Sequence, residues 1–428
     1  MKKQEKSERK NLNKEKNKIM QRNTKGITLI ALVITIIVLI ILAGVSINLV
    51  LGDNGIVTKA KLAKEQTERA KLNEEMGLNE TAKYLEEMEA DGGTVNPPET
   101  IKTVEEVKGG DYFNKLTTIK DSNGNLIKVP EGFKVAEDSG INVTEGIVIE
   151  DNDIIDGIGN NRGNQYVWIP VGTGIKKADG SSVDITLGRY TFASDGTPTL
   201  KQNAENYADE VLINSYYKEL ATSRIGTVDT SNHLNDTNTT ALNLKGFVDS
   251  VKANGGYYIA RYEASYGTDG KANSKVSNSF INTSGTAPTT EGTLWNNITQ
   301  INAATTSRNL YETVTTDLIN SYAWDTAIVY IQEFSGDADY SRQDGISINS
   351  SLTNTGANGD EVCKINDMAS NTVEWTTEYS TNAYSSSAYP CTSRGGNYYD
   401  SVSCASFRGD NNATNSYKNF TFRPTLYM

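Results

Sequence analysis

Histidine and cysteine are almost missing from this 428-residue chain, which has one His, His233, and three Cys, Cys363, Cys391 and Cys404. Without a Cys-x-x-Cys spacing the inventory offers no zinc ligand set. A Ser/His/Asp hydrolase would have to be built on His233, in the polar Ser231-Asn232-His233 stretch. Cys391 and Cys404 admit a disulfide outside the cell, or all three Cys serve as small buried hydrophobes. Positive charge is scarce beyond residue 25. Residues 1–25 hold ten Lys/Arg against three Glu, a net of +7, so in a chain of net charge −12 the remainder carries −19. Nucleic-acid binding needs cationic surface to release counterions, and no nucleic-acid partner is expected. No internal repeat is present.

What is there begins with a long apolar run. Residues 1–26 form a basic, Lys- and Asn-rich leader without apolar periodicity, expected to be disordered. Ile27 to Leu51 then runs 25 residues without a charge. As a helix it spans roughly 37 Å at ~1.5 Å per residue, enough to cross a hydrocarbon core of about 30 Å. The basic flank belongs in the cytoplasm, which places residues 52–428 outside a single-pass cell membrane anchor. Residues 52–89 are rich in Ala, Lys, Glu and Leu, with Leu62, Leu72 and Met76 at helical spacings, and predict an amphipathic stalk. Residues 90–99, with Gly92-Gly93 and Pro97-Pro98, read as a linker.

Lys25-Gly26-Ile27-Thr28-Leu29-Ile30 resembles the class III leader of type IV prepilins. The resemblance implies cleavage between Gly26 and Ile27 by a prepilin peptidase, and pilus subunits as partners. The family carries Glu at the fifth residue after the cut, to pair with a neighbouring subunit; here that position is Ala31. A simple membrane anchor fits the same run.

From Glu99 on, composition turns to Gly, Asn, Ser, Thr and β-branched residues, and the fold class read for the chain is α+β. Thr118-Ile119-Lys120 and Leu126-Ile127-Lys128-Val129, around Asp121-Ser122-Asn123-Gly124, predict a hairpin. Gly146 to Ile149 predicts another strand. Helical pieces are expected around Asn206 to Thr222. Asp317 to Glu333 is expected as the main helix, with Ala323, Ala327, Val329 and Ile331 among its buried candidates. Residues 100–165 are a β-rich extension and 166–428 the principal domain.

The chain is organised around a block near its C-terminus. Lys364 to Thr376 alternates buried-type and polar residues around Glu374 and Trp375, which suggests a strand or turn whose Trp anchors a core. Arg394 beside Gly395-Gly396, and Arg423 between Phe422 and Pro424, suit guanidinium groups that tie loops together. These pieces resemble the signature of the formylglycine-generating enzyme family (sulfatase-modifying factors). Ile365 to Thr376, Arg394 to Tyr398 and Thr421-Phe422-Arg423 carry the resemblance. Earlier blocks agree in order: Tyr166 to Gly172, Gly256 to Glu263, and Trp324 to Ala327. The resemblance implies an irregular, loop-rich C-type-lectin-like fold over 166–428. It makes Trp375, Arg394, Gly395, Gly396, Phe422 and Arg423 structural, and implies calcium at Asn371 and Glu374 through backbone carbonyls and the Glu, with Glu374 bonding a buried loop or pairing Arg394 or Arg423 as the alternative. Enzymes of this family use a close Cys pair to bind copper; Cys404 falls near the first, but Phe407-Arg408-Gly409-Asp410 stands where the second would be. One thiol does not make that soft-metal site, and no enzyme activity is expected.

Between the two Arg anchors, sixteen of the 26 residues from Asn397 to Phe422 are Asn, Ser, Thr, Tyr or Asp. Tyr gives rigid amphipathic contact area, and Asn and Ser give adaptable hydrogen bonds, the chemistry of a paratope. A plain polar surface loop fits the same composition. The segment is also similar to the variable proteins of diversity-generating retroelements, which end in a hypervariable stretch closing near Gly-Phe-Arg-Pro. The ligand-binding residues expected are Tyr398, Tyr399, Asp400, Asp410, Asn411, Asn412, Asn415 and Tyr417. The reading is a membrane-anchored or pilin-like bacterial surface protein that displays a lectin-like adhesin or receptor domain for an unknown protein or glycan ligand. A formylglycine-generating-type oxidase and a structural minor pilin are the alternatives.

Overall fold

The computed structural model describes residues 10–17, 100–151, 163–199, 202–203, 217–218, 241–267, 269–275, 281–308, 310–380 and 391–428. Two compact units divide the chain, Met1–Thr100 and Ile101–Met428. In the first, residues 10–17 are helical rather than disordered as expected. Lys and Glu are good helix formers, so a local helix there needs no apolar stripe. The run 27–51, the Gly26-Ile27 junction, the stalk 52–89 and the linker 90–99 lie outside the described residues. Among the described residues no helix is long and apolar enough to cross a membrane.

The second unit is α+β and rich in loops. Its strands that matter to the site are β1 (Phe133–Val135), β2 (Val148–Asp151), β3 (Gln165–Pro170), β4 (Tyr217–Lys218), β5 (Gly256–Ala260) and β6 (Thr315–Leu318). They continue with β7 (Val373–Ser380), β8 (Cys391–Arg394), β9 (Arg408–Asn411), β10 (Phe420–Phe422) and β11 (Pro424–Tyr427). Six of them form one sheet in the order β6-β11-β5-β3-β2-β1. The others form a five-stranded sheet, β4-β7-β8-β9, with β10 also paired to β7. All these pairings are antiparallel except β7 with β10, where Val373 faces Phe420 and Trp375 faces Phe422. The chain therefore leaves the second sheet at Phe422 and enters the first at Pro424, with Arg423 at the crossing.

Two apolar clusters follow. The larger holds Trp168, Trp324, Tyr257 and Tyr258 against the six-stranded sheet. A smaller one gathers Trp295, Trp375, Phe420 and Phe422. Near-continuous burial along β3 and β5 explains why their Tyr-Val-Trp-Ile and Tyr-Tyr-Ile runs lack polar alternation.

The expected hairpin pairs Thr117–Lys120 with Leu126–Val129, and the expected strand near Ile149 is β2. The main helix is α3 (Ser321–Ser335), after α1 (Leu244–Asn254) and α2 (Gln300–Ser307). It starts four residues later than the sequence suggests, because Asn320 caps it by accepting from the Ala323 N–H. Asp317 instead lies in β6 opposite Thr425 and pairs with Arg308 at 2.7 Å. Ala323, Ala327 and Ile331 are buried as expected, and Val329 is half-buried. Of the expected helix around 206–222, most lies outside the described residues. Tyr217–Lys218 is a strand instead, because the ladder edge of β7 at Tyr379–Ser380 supplies its hydrogen bonds.

Candidate functional site

The C-terminal block holds two buried ionic clusters and, between them in sequence, an exposed polar-aromatic segment. The first cluster is centred on Arg423, fully buried at the crossing between the sheets. Its Nε donates to Glu374 Oε2 at 2.7 Å, its Nη1 to the Ala260 carbonyl at 3.0 Å and its Nη2 to the Asn366 carbonyl at 2.8 Å. One guanidinium so ties the end of β5, the start of β7 and the short strand Ile365–Asn366. Glu263, Asp360 and Asp367 are buried around it. Glu263 accepts from the Thr372 N–H at 3.1 Å and from the Asn371 amide. Burial pushes Glu263 well above the ordinary carboxyl range, and the nearby Asp367 and Glu374 charges add to it. Burial also raises Asp367, to about 7, despite a hydrogen bond from the Gly356 N–H. The Glu374 carboxyl is raised by burial against the pull of Arg423.

The second cluster has the opposite balance. Arg394 Nη2 meets Asp325 Oδ1 at 2.6 Å and its Nη1 meets Glu378 Oε2 at 3.2 Å, with all three side chains fully buried. Arg189 reaches Glu378 at 2.8 Å, while Arg408 reaches Glu378 at 3.0 Å and also pairs with Asp325. Three guanidinium groups thus surround two carboxylates. Burial alone would raise Asp325, but Arg394 and Arg408 override it and hold it below its ordinary value. Glu378 is held low in the same way, by Arg408, Arg394 and Arg189 against burial. Gly395-Gly396 makes the close approach possible. Gly395 has φ +88°, and a Cβ at Gly396 would stand 1.7 Å from the Ala369 carbonyl oxygen.

Trp375 and Phe422 are fully buried, as expected of scaffold residues. The Trp375 indole N–H donates to the Ile298 carbonyl at 2.9 Å and the ring packs on Phe420. Arg394 and Arg423 do bind loop carbonyls and carboxylates, Arg394 Nε reaching the Phe407 carbonyl at 2.8 Å.

The eight expected ligand-binding residues divide. Tyr399 and Tyr417 are exposed, 69% and 50%, beside Val402 at 76%. Tyr398, Asp400, Asp410, Asn411, Asn412 and Asn415 are half-buried. Three of these carry local structure. Asp400 accepts from the Val402 and Ser403 N–H groups and from the Asn397 amide, Asn411 donates to Ser393 Oγ at 2.9 Å, and Asn412 accepts from the Thr414 N–H at 2.9 Å. Asp400 and Asn412 close turns with their short polar side chains, which is why turn segments select them, while Asn411 links β9 to β8.

The oxygens expected to hold calcium at Asn371 and Glu374 are already engaged within the protein, the Asn371 carbonyl accepting from the Tyr398 N–H at 3.0 Å. Both Glu374 oxygens accept from Arg423, and Asn371 Oδ1 already accepts from the Thr353 N–H at 2.9 Å. A hard cation needs several convergent free oxygens. Among the described residues no group of three or more His, Cys, Asp or Glu side chains is placed to hold a metal. All three Cys are free thiols; Cys391 is buried and Cys363 and Cys404 are half-buried. Burial pushes the Cys363 thiol up to about 12, which disfavours its thiolate.

Sequence reasoning quoted the Trp324-to-Ala327 and Gly256-to-Glu263 blocks without assigning roles to Asp325 or Glu263, and it missed Arg189 and Glu378. A charged residue inside an apolar run was the available signal for Asp325 and Glu263. Nothing local distinguishes Arg189.

No protein-family model matches the chain, and no curated protein matches it. Among solved structures the chain is similar to one described as "Crystal Structure of CarF", with 14% identity over 51% of this chain and 99% of that one at a TM-score of 0.29, a likeness that carries no argument about fold or function.

Proposed function

We propose that this chain is a bacterial surface protein that displays a formylglycine-generating-enzyme-like, C-type-lectin-like binding domain from an N-terminal membrane or pilin-like segment. The contact surface is the tyrosine-bearing part of the C-terminal segment. One observation carries this reading. Tyr399, Val402 and Tyr417 are among the most exposed large side chains described in the unit, yet the chain bearing them is pinned at both ends by fully buried Arg394 and Arg423. Apolar and aromatic side chains held out on a fixed frame lose little entropy on binding.

Asp400, Asn411 and Asn412 act in this reading by shaping the loops, and Tyr398, Tyr399, Asn415 and Tyr417 make the contact. Asp410 belongs to β9. The residue types suit a protein or glycan ligand, and variation at these positions leaves the frame intact, as the similarity to retroelement variable proteins implies. Arg408, in the Phe407-to-Asp410 stretch that stands where the second copper-binding Cys would be, is committed to the second ionic cluster, and that supports binding over oxidase chemistry.

The test is a cell-surface and glycan binding array with the full chain and with a Tyr398→Ser/Tyr399→Ser/Asn415→Ser/Tyr417→Ser variant. The expected result is unchanged circular dichroism with loss of attachment. A variant that folds and still binds places the contact surface elsewhere.

A further inference from the structure

A cleft of about 340 Å³ opens among β1, β2 and the residues before β3 and β6, and none of its lining residues lies between Arg394 and Arg423. The Phe133 and Tyr311 rings form part of its wall, edge to face with centroids 5.0 Å apart, and Tyr166 packs behind them. Tyr311 donates its hydroxyl to Asp151 Oδ2 at 2.5 Å. Asn164 binds the same carboxylate through its N–H at 2.7 Å and its side-chain amide at 2.8 Å, so the Asp151 charge is fixed in the wall.

Two features show that the cleft is shaped for a ligand. Asn273 lines it and is only 7% exposed, yet its side-chain amide makes no hydrogen bond to any described residue. That amide opens onto the cleft and is free to bond whatever occupies it. The second feature is the charge of the lining. Glu131, Asp151 and Asp269 line the cleft with a single cation, Lys271, whose ammonium donates to the Leu310 carbonyl at 3.5 Å. Glu131 and Asp269 are exposed at the rim.

We propose that this cleft binds a compact organic cation, a guanidinium or primary ammonium on a short apolar stem, such as an Arg or Lys side chain presented by an extended peptide. Carboxylates and the Asn273 carbonyl oxygen accept from the cationic head, and the Phe133 and Tyr311 rings cover the stem and attract the charge. The volume lies at the small end of ligand sites, which suits one side chain rather than a folded surface. The site is separate from the tyrosine surface, and one can fail without the other.

The experiment is calorimetric titration of the purified full-length chain in detergent with acetyl-Gly-Arg-Gly-amide, with the same peptide carrying neutral citrulline in place of Arg, and with methyl glucoside. Saturable binding of the Arg peptide alone is expected. Glu131→Gln with Asp269→Asn, both at exposed positions, should weaken it about fivefold at unchanged melting temperature. Asn273→Ala should weaken it further, and Tyr399→Ser should leave it unchanged. The proposal is overturned if the Arg peptide does not bind, if citrulline or the glucoside binds as well as Arg does, or if the rim variant binds the Arg peptide undiminished.

Discussion

The two ionic clusters sit in the same C-terminal block, are equally buried and have opposite compositions. Around Arg394, three guanidinium groups serve two carboxylates, and those carboxylates are held below their ordinary pKa. Around Arg423, a single guanidinium lies among Glu374, Glu263, Asp360 and Asp367, whose pKa values are all raised. Burial acts alike on both, so the sign of the result is set by the ratio of partners. The arginine-rich cluster is redundant. The acid-rich cluster depends on one residue, and that residue also joins the two sheets.

The largest expected effect tests this dependence. Arg423→Met removes the only guanidinium bound to Glu374 among the described residues, so it should cost at least about 3 to 5 kcal/mol and leave little folded protein. Arg189→Met should cost less, about 1 to 3 kcal/mol, because Glu378 keeps Arg394 and Arg408. Urea denaturation of the two variants measures both, and equal losses would erase the distinction.

Acid should separate the clusters in sign. Asp325 and Glu378 have depressed folded-state pKa values, so the stability they contribute is present above about pH 4 and is lost as pH falls further. Asp367 is raised to about 7, so its folded form holds its proton more tightly than the unfolded chain does. Its ionisation costs stability progressively as pH rises from about 4 to about 7. Asp367→Asn should therefore match the parent chain near pH 4 and melt higher near pH 8. Glu378→Gln should show its larger loss at the higher pH. Melting curves across that range decide, and an Asp367→Asn advantage that does not grow with pH would refute the acid-rich assignment.

Much of this frame was legible in the sequence, and the reasons differ by residue. Arg394, Arg423 and Trp375 could be picked out because glycine, proline or a charge stands beside each of them. Their roles follow from local chemistry. The hairpin at 117–129 was readable from alternation and a turn. The start of α3 was not, because Asp317-Leu318 continues a helical pattern that β11 captures as a strand through Thr425 and Pro424. Arg189, distant in sequence from Glu378, could not be assigned from any local pattern. The tyrosine-bearing segment was half legible. Composition marked it as surface, but the same Asn and Asp residues that suit a paratope also close its turns, and only the hydrogen bonds tell the two uses apart.

A smaller effect follows from that last distinction. Asp400→Ala removes acceptors for the Val402 and Ser403 N–H groups and should cost about 1 kcal/mol. Tyr399→Ala, at an exposed position, should stay within about 0.5 kcal/mol. Thermal melts of the pair measure the contrast, and the reverse order would mean that Tyr399 is part of the frame. The smallest expected effect is that of calcium. With Glu374 bound to Arg423, millimolar calcium should leave the melting temperature unchanged. A rise that disappears with chelator would show the Arg423 cluster opening to take the ion.

Native-state hydrogen exchange tests the central division between frame and presented surface most directly. Amides of β7, β8 and β10, locked by the two clusters, should exchange only through global unfolding. Those of residues 398–403 and 412–418 should exchange through local opening of much lower free energy. Equal protection across the block would contradict the account, because it would make the tyrosine segment part of the structure that the clusters hold.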